Sequence, residues 1–359
     1  MPEEKRVHVV GTGTIGEPLI GMLCEFGKKL GFGGVSFSKK QPLTSDRPKV
    51  KALKGRGARF AVEQEQMAAF QEAGMKPDLS VQEALAGATV VIDCTPHGNA
   101  HKESFYKPMA GETAGFIAQG SEAGFGVPYA RGINDSVLVA GDTKFIQVVS
   151  CNTHNLLALV DTLALRDKDS ANLVDGKFVL IRRANDVSQD KKFIPAPQAG
   201  VHDNERFGTH HALDAHSVFS TLDYDLPLFS SAMKVNTQYM HSMHFTIRLR
   251  ETITREEVVA RLTANPRIAL TEKTTANSIF SFGRDQGYYG RLLCQTVVSI
   301  PTLHVRHVDG YTEVTGFTFT PQDGNSLKTS LAAATWFINP ERYIELVQAC
   351  LKPYSFQEV

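Results

Sequence analysis

A glycine-rich turn between a short apolar strand and a helical stretch constrains the fold of this chain more than any other feature. The run from Val7 to Val10 predicts a strand, Gly11-Thr12-Gly13-Thr14-Ile15-Gly16 follows it, and a helix is predicted from Glu17 to about Leu30. In the G-x-G-x-x-G pattern the first glycine permits a tight turn, the second lets a pyrophosphate approach the backbone, and the third lets the helix pack on the strand. The helix N-terminus then faces the phosphates. The sequence therefore predicts a dinucleotide-binding fold.

The end of the second predicted strand bears on which dinucleotide binds. Folds that bind NAD usually carry an acidic residue about twenty residues after the glycine turn, where it binds the ribose 2′-hydroxyl. Here the run from Gly33 to Lys40 contains no Asp or Glu. Ser38 and Lys39 suit a 2′-phosphate instead, so NADP is the predicted cofactor and NAD stays possible. The alternative interpretation of Lys39 and Lys40 is a solvated loop.

Further strands complete the first half of the chain. Residues Thr89 to Cys94 form a nearly continuous apolar run, which is typical of a buried parallel strand. Thr95 begins the turn at its C-terminal end, where ligands bind in such sheets. Strands are also predicted at 115–118 and 145–150. The alternation of strands and helices predicts a doubly wound parallel sheet over residues 1–150, a Rossmann dinucleotide-binding domain.

After residue 150 the strands follow one another with few helices. Strand-like runs lie at 177–184, 234–251, 294–300, 303–308 and 312–320, and only 254–265 reads clearly as an intervening helix. This order predicts an α+β catalytic domain over 151–320, built on a mainly antiparallel sheet. The stretch 187–231 reads as a long, irregular polar loop. Helices at 326–337 and 340–350 are expected in a C-terminal segment, 321–359, that returns to the Rossmann domain.

The bulk composition excludes several classes of protein. Among 359 residues, Lys plus Arg and Asp plus Glu both total 38, which gives no electrostatic case for nucleic acid or an anionic membrane as partner. Five scattered cysteines without a CxxC pair argue against a disulfide framework, and no metal site is predicted. The charged N-terminal stretch is not expected to act as a signal peptide, and no apolar run approaches about 20 residues. We expect a cytoplasmic protein.

Cys151 lies where the last strand of the first half passes into a helix. Val148 and Val149 favour a strand, and Asn152 and Thr153 are residues that cap helices. A thiol at this point lies near the unpaired N–H groups and the positive end of the helix, which favours the nucleophilic thiolate. The alternative interpretation is a small buried apolar side chain.

Histidines cluster in the second half, at 210, 211, 216, 241 and 244. Three interpretations stay open: surface or buried structural imidazoles, a metal site that no ligand spacing supports, and a general base beside the cysteine with neutral donors to an anionic substrate. Alternation along the predicted strand puts His241 and Met243 on one face and His244 on the other. Only one of His241 and His244 can therefore face the site.

Together these elements resemble the archaeal-type (type II) glyceraldehyde-3-phosphate dehydrogenases over nearly the whole chain. The matching motifs, in chain order, are Gly-Thr-Gly-Thr-Ile-Gly at 11–16, Asp-Cys-Thr-Pro at 93–96, Gln-Gly-Ser-Glu at 119–122, Val-Val-Ser-Cys-Asn-Thr at 148–153, Arg-Arg-Ala-Asn-Asp at 182–186, His-His at 210–211 and Met-His at 240–241. The Ser-Cys-Asn-Thr and His-His elements are specific to this family rather than general to dinucleotide-binding folds.

The resemblance implies roles for individual residues. It implies Cys151 as the nucleophile and His241 as the general base. The predicted substrate contacts are Ser150, Asn152, Thr153, His210 and His211. With the glycine turn included, the predicted cofactor contacts are Gly11, Gly13, Thr14, Ile15, Gly16, Ser38, Lys39, Thr95, Ser121, Arg182 and Gln322.

The activity implied by the resemblance is NAD(P)-dependent, phosphorylating oxidation of glyceraldehyde-3-phosphate through a thiohemiacetal and a thioester on Cys151. The substrates would be a phosphorylated aldehyde and inorganic phosphate, the setting glycolysis or gluconeogenesis, and the assembly a homotetramer.

The chain also departs from the family pattern. Ser121 replaces a glycine, His154 and Asn155 replace Thr-Gly, and Met243 replaces a second histidine. These differences predict a divergent member. A related thioester-forming semialdehyde or acyl-phosphate reductase, and a non-catalytic nucleotide-binding homologue, are the alternatives.

Overall fold

A computed structural model describes residues 4–120, 122–165, 170–186, 189, 193–321 and 323–359, so the predicted site residues Ser121 and Gln322 lie outside the described residues. The chain divides into two compact units. The first comprises the residues up to Arg131 with Ser136–Val148 and Leu327–Pro353, and the second comprises Gly132–Asp135, Val149–Ser326 and Tyr354–Val359. The functional domain limits 1–150, 151–320 and 321–359 stay a prediction. No helix in the described ranges has the length and apolar character to cross a membrane.

The first unit contains an eight-stranded parallel sheet. Its strands are β1 (Arg6–Val10), β2 (Gly34–Ser38), β3 (Arg59–Val62), β4 (Leu79–Ser80), β5 (Val90–Asp93), β6 (Gly115–Gln119), β7 (Val127–Tyr129) and β8 (Phe145–Val148). They are ordered β4-β3-β2-β1-β5-β6-β8-β7, and each neighbouring pair runs parallel. The predicted doubly wound parallel sheet is confirmed.

Helices connect these strands in the first unit. They are α1 (Gly16–Leu30), α2 (Arg47–Gly55), α3 (Met67–Glu72), α4 (Val81–Ala86) and α5 (Gly98–His101), the last continued by a π-helical turn at Lys102–Tyr106. β5 is buried along its whole length, as a central parallel strand covered on both faces must be. Tyr106 packs from the π-helical turn onto Phe116 of β6, and their ring centroids are 5.1 Å apart. The chain after β5 is therefore anchored in the core.

The second unit is built on another eight-stranded sheet. Its strands are β9 (Leu173–Arg182), β10 (Gln198–Ala199), β11 (Leu228–Lys234), β12 (His241–Leu249), β13 (Ile268–Thr271), β14 (Thr296–Ser299), β15 (His304–Val308) and β16 (Tyr311–Thr320). The order is β10-β11-β9-β12-β16-β14-β13, and β15 pairs with β16. β9 and β11, and β13 and β14, run parallel, while the other described pairings are antiparallel. The mainly antiparallel sheet is confirmed.

The remaining helices are α6 (Cys151–Val160), α7 (His210–Ser220), α8 (Arg255–Ala264), α9 (Ala276–Gln286), α10 (Gly324–Trp336) and α11 (Tyr343–Leu351). α8 begins with the capping box of Thr254 and Glu257 and matches the predicted helix. Within the first unit, α11 packs on α1, and the Asn339 side chain donates a hydrogen bond of 2.9 Å to the carbonyl oxygen of Leu30.

Two predictions about the second half are wrong in detail. The predicted strand 234–251 begins too early, because β11 ends at Lys234 and β12 starts only at His241. The connection between them is held by hydrogen bonds from the Ala184 N–H to the Thr237 carbonyl oxygen and from the Asn185 N–H to the Gln238 side chain. The stretch 187–231 is also not irregular throughout, since it contains α7. The buried face of α7 is formed by small and apolar residues that the histidines and serines between them conceal in the sequence, namely Ala212, Ala215, Val218 and Phe219.

Candidate active site

The glycine turn has the backbone that a dinucleotide requires. Gly11 has a φ of +91°, in the region that side chains disfavour. A Cβ added to Gly16 would lie 2.1 Å from the Gly11 carbonyl oxygen, so only glycine fits where α1 approaches β1. A Cβ added to Gly13 would meet nothing within 4 Å, which leaves open space where the pattern places a pyrophosphate. The residues of this turn fit the predicted cofactor.

A cavity of about 340 Å³ extends from this turn along the C-terminal ends of β1, β2 and β5. Of the predicted cofactor residues, Gly11, Ser38, Lys39 and Thr95 line it. Four aromatic side chains that the sequence analysis did not assign to the cofactor also line it, namely His97, His101, Phe105 and Tyr106. The four-residue spacing of the first three, directly after a buried strand, is the signal that could have identified them.

Charged and hydroxyl groups around the cavity are already engaged in the protein. Lys39 forms an ion pair of 2.7 Å with Asp46 and donates to the Thr12 hydroxyl at 3.3 Å. The Ser38 hydroxyl lies 3.2 Å from Nε2 of His8. Burial lowers the pKa of His8 to about 4, so this imidazole is neutral at neutral pH. Asp46 therefore offsets part of the positive charge that Lys39 offers to a 2′-phosphate.

Lys49, on α2, brings a second cation to the glycine turn. Its Nζ donates to the Thr12 carbonyl oxygen at 3.2 Å and lies 3.3 Å from a carboxylate oxygen of Glu17. The sequence analysis did not find this residue, because its contact with the turn is made across the fold.

Cys151 is the first residue of α6, and Ser150 is the residue that caps the helix. The Ser150 backbone is extended, and its hydroxyl accepts a hydrogen bond from the Thr153 N–H at 3.3 Å. Asn152 and Thr153, proposed as capping residues from the sequence, lie inside the helix and are buried. The thiol consequently belongs to the first helical turn, as expected.

Side chains from distant parts of the second unit fix the first turn of α6. The Thr320 hydroxyl donates to the Asn152 side-chain oxygen at 3.1 Å, and the Asn155 side-chain amide donates to Thr320 at 2.8 Å. The Asn325 side-chain amide donates to the Cys151 carbonyl oxygen at 3.0 Å. Because buried polar groups of this kind are costly to leave unpaired, the network holds the backbone of Cys151 in one position.

The electrostatic surroundings of Cys151 oppose one expectation. Desolvation of the thiol, followed by the negative charge of Asp323, raises its pKa to about 11. The Arg183 guanidinium acts in the opposite direction and does not compensate. The helix N-terminus was expected to favour the thiolate, but burial of the thiol and the charge of Asp323 act in the opposite direction and raise this pKa.

Asp323 and two arginines form a charged cluster beside the thiol. Arg183 pairs with Asp186 and lies 3.9 Å from a carboxylate oxygen of Asp323, while Arg291 lies 3.8 Å from the other oxygen. Asp323 is 6% exposed and has a φ of +58°. The sequence analysis assigned no role to Asp323 or Arg291, and the polar stretch 321–325 is a sequence signal for Asp323 alone.

His241 is a neutral ring with a defined tautomer. Its Nδ1 accepts a hydrogen bond of 3.0 Å from the Arg183 N–H, so the neutral imidazole carries its proton on Nε2. Burial, reinforced by the charges of Arg183 and Arg182, lowers the pKa of His241 well below its ordinary value. In this state Nε2–H is a hydrogen-bond donor, and the predicted role as general base requires the other tautomer.

The other predicted substrate residues, His210 and His211, lie at the start of α7. His211 is 2% exposed, and its ring nitrogens contact the Thr209 hydroxyl at 3.2 Å and the Asn152 side-chain amide at 3.5 Å. Burial lowers the pKa of His211 to about 2. His210 is exposed, and its ring centroid lies 3.9 Å from that of His211. His211 therefore contacts protein groups, whereas His210 can reach solvent.

Arg182 lies with the predicted substrate histidines, whereas His244 lies on the opposite face of β12. The charge of Arg182, a predicted cofactor contact, lowers the pKa values of His210, His211 and His241, which places it with these histidines. His244 points to the other face of β12, where it contacts the Thr315 hydroxyl and the Phe317 ring. His244 is not on the face of β12 that carries His241.

Comparison with known proteins gives a consistent set of relatives, although no family model matches the chain. It is 30% identical over 254 residues to the glyceraldehyde-3-phosphate dehydrogenase of Sulfolobus acidocaldarius, covering 68% of this chain and 69% of that protein. The corresponding enzyme of Metallosphaera sedula is 28% identical over 260 residues, which cover 70% and 71% of the two chains. That of Hyperthermus butylicus is 28% identical over 312 residues, covering 85% and 84%.

The dinucleotide-type sheet, the cysteine at the start of α6 and these relatives define the class of this protein as an oxidoreductase. Within that class, the chain belongs to the archaeal-type glyceraldehyde-3-phosphate dehydrogenase family, of which it is a divergent member.

Proposed function

We propose that the protein is a phosphorylating glyceraldehyde-3-phosphate dehydrogenase that uses NADP, with NAD as a possible second cofactor. The observation that carries the proposal is the placement of Cys151 in the first turn of α6, with its carbonyl oxygen bound by Asn325. Family membership supplies the reaction class. A cytoplasmic location, a homotetramer and a place in glycolysis or gluconeogenesis follow from the same resemblance and are part of the proposal.

Cys151 forms the covalent intermediates. The thiol loses its proton, and the thiolate attacks the aldehyde carbon to give a thiohemiacetal oxyanion. Nδ1 of His241 accepts from the Arg183 N–H, which leaves Nε2–H as a donor, and we propose this donor for the oxyanion. The nicotinamide, when bound, would supply the hydride acceptor, and loss of the hydride from the thiohemiacetal carbon would leave a thioester on Cys151. Inorganic phosphate then attacks the thioester, releasing the acyl phosphate and regenerating the thiolate.

The role of His241 in this scheme differs from the base expected from the resemblance. Collapse of an oxyanion requires no further proton transfer, so a donor at this position is sufficient once the thiolate has formed. The base role stays a prediction that the His241 variants described in the Discussion test. Deprotonation of Cys151 then limits the fraction of the protein that carries a reactive thiolate. For a thiol pKa of about 11, this fraction is roughly 10⁻⁴ at pH 7.

The residues of the first unit fit the cofactor. Gly13 leaves the backbone accessible, Gly11 and Gly16 permit the close approach of the turn and α1, and Thr14 and Ile15 lie between Gly13 and Gly16. Lys39 and Lys40 line the cavity and favour a 2′-phosphate, with Lys39 partly offset by Asp46. These contacts support NADP as the preferred cofactor.

The phosphorylated aldehyde and inorganic phosphate are assigned to the second unit. His210 and Arg182 offer donors for phosphate oxygens, and Ser150 and Thr153 flank the nucleophile. His211 and Asn152 contact each other and are proposed to orient this set.

The test is reduction of NADP and of NAD by the purified protein with glyceraldehyde-3-phosphate, with and without inorganic phosphate. Turnover that depends on phosphate and is faster with NADP supports the whole proposal. Phosphate-independent turnover contradicts the phosphorylating assignment, and preference for NAD contradicts the assignment of Lys39 and Lys40.

The raised thiol pKa favours a second candidate, a nucleotide-binding homologue that does not catalyse the reaction. A thiol with a pKa of about 11 that stays so when a dinucleotide is bound would be a poor nucleophile at neutral pH. Binding of a dinucleotide without turnover would support this candidate. Turnover with semialdehydes or acyl phosphates, and not with glyceraldehyde-3-phosphate, would support a related reductase.

A further inference from the structure

We infer that His101, held by the buried carboxylate of Asp93, is a specificity-determining residue that binds the 2′-phosphate of the dinucleotide. The inference rests on the proposed dinucleotide binding and is independent of the aldehyde chemistry. If it holds, the preference for a dinucleotide with a 2′-phosphate depends on the protonation of His101.

The carboxylate of Asp93 fixes the position of His101. It ends β5, is fully buried, and accepts four hydrogen bonds: from the Thr95 N–H at 2.9 Å, the Thr95 hydroxyl at 2.6 Å, the Tyr106 hydroxyl at 2.7 Å and Nδ1–H of His101 at 2.6 Å. Burial acts to raise the pKa of Asp93, but the hydrogen bonds from His101, Thr95 and Tyr106 lower it overall. The carboxylate is therefore charged at neutral pH and its oxygens are occupied by Thr95, Tyr106 and His101. These three side chains line the cavity, and of them only His101 can carry a positive charge.

The geometry gives His101 two states with opposite effects on an anion. Because Asp93 accepts from Nδ1, that nitrogen carries a proton in both states. In the imidazolium, Nε2–H is a second donor on a side chain that lines the cavity and is 28% exposed. In the neutral ring, Nε2 presents a lone pair instead, which repels a phosphate oxygen.

The neighbouring charges favour a dianion at this point. The hydrogen bond to Asp93 raises the pKa of His101, and the charge of Glu122 acts in the same direction, whereas burial and the charge of Lys40 lower it. Lys40 and His101 are thus two cations close enough to disfavour each other's charge, a cost that a bound phosphate relieves. His97 and Glu63 also line the cavity, and His8, which interacts electrostatically with Asp93, is neutral.

The direction of the pH dependence follows from the raised pKa of His101. The extra affinity for a 2′-phosphate is present while His101 is protonated, and it is lost as the pH rises through a pKa above the ordinary 6.5. The charge of the 2′-phosphate itself increases near pH 6, which opposes this trend on the acidic side. That contribution is common to the wild-type protein and its variants and cancels when they are compared.

The experiment measures the Kd of adenosine 2′,5′-bisphosphate and of adenosine 5′-monophosphate by calorimetry on the full chain between pH 5.5 and 9. We expect the ratio of the two affinities to fall with rising pH in the wild type. In His101→Gln the ratio at the acidic end should fall roughly three- to tenfold and its pH dependence should flatten. The matched control is His304→Gln, which removes an exposed histidine of β15 outside the cavity and should keep the wild-type slope.

A second variant tests the pairing with Asp93. Asp93→Asn keeps a hydrogen-bond acceptor and removes the negative charge that raises the pKa of His101. The pH range over which the affinity ratio falls should therefore move to lower pH. Retention of the wild-type slope in His101→Gln overturns the inference while leaving dinucleotide binding intact. Failure of both nucleotides to bind the wild-type protein overturns the inference together with the cofactor assignment.

Discussion

The glycine turn keeps its backbone open, whereas the turn that carries Cys151 is tied to other parts of its unit. A Cβ at Gly13 would meet nothing within 4 Å, and Lys40 and His101 bring positive charge to the adjoining cavity. At Cys151, by contrast, Asn325 binds the carbonyl oxygen, and Asp323 opposes ionisation of the thiol. One region is prepared for an anion and the other keeps its nucleophile protonated.

This difference shows that a helix N-terminus does not by itself decide the state of a residue placed on it. Both α1 and α6 begin directly after a strand or turn of the kind that binds ligands. Before α1, a Cβ added to Gly13 would meet nothing within 4 Å, so the backbone of the turn that leads into the helix is open to a ligand. In α6 the desolvated thiol and a carboxylate outweigh the helix dipole, which contributes only about 0.3–1 kcal/mol in exposed settings.

The largest expected effect is the loss of turnover in Cys151→Ser, because a serine hydroxyl in a desolvated site is not a competent nucleophile without a base. We expect kcat to fall by at least about 10⁴-fold while the Kd of NADP is unchanged. Cys24→Ser, on α1, is the matched control and should keep full turnover. Normal turnover in Cys151→Ser would refute covalent catalysis.

A smaller effect separates the two roles of His241. Gln can donate from a nitrogen near the position of Nε2 but cannot act as a base, so His241→Gln should lose about tenfold in kcat, and His241→Ala about 10²- to 10³-fold. His244→Gln, on the other face of β12, is the control and should behave as wild type. Equal losses in the Gln and Ala variants would favour the general-base role.

Gly13→Ala tests whether the open backbone of the turn serves a ligand. Since the added Cβ meets no protein atom, the thermal midpoint should be unchanged, while the Kd for NADP should rise roughly 10- to 100-fold. Gly55→Ala is the matched control, because its Cβ would also meet nothing and Gly55 ends α2. Unchanged NADP affinity in Gly13→Ala would remove the turn from the binding site.

The smallest effect concerns the charge beside the thiol. Asp323→Asn removes the negative charge that disfavours the thiolate, so the pKa of Cys151 should fall from about 11 by roughly one unit. The rate of alkylation by iodoacetamide between pH 7 and 11 measures this shift. Asp186→Asn should lower the pKa less, because Asp186 is the weaker of the two carboxylates that raise it. A higher or unchanged pKa in Asp323→Asn would contradict the electrostatic account.

The sequence predicted the dinucleotide sheet well because its signals are local. The glycine turn, the apolar run of β5 and the position of Cys151 each depend on residues within about one strand and one helical turn. The helix at 254–265 was predicted for the same reason, since its capping residues Thr254 and Glu257 lie within its own first turn. The helix α7 was missed because polar residues interrupt its apolar spacing.

The chemistry of the site was less accessible to the sequence. The pKa of Cys151 depends on its burial and on Asp323, which is far from it in the chain. The tautomer of His241 depends on one backbone N–H of Arg183, which no pattern of residue types specifies. His101 became visible as a partner of Asp93 only when the strand and the following helix were placed together.

The most direct test of covalent catalysis at Cys151 is intact-protein and peptide mass spectrometry after mixing the protein with NADP and glyceraldehyde-3-phosphate in the absence of phosphate. The account predicts a burst of one NADPH per chain and an acyl adduct on the Cys151 peptide, which added inorganic phosphate discharges. NADP binding with neither burst nor adduct would contradict it.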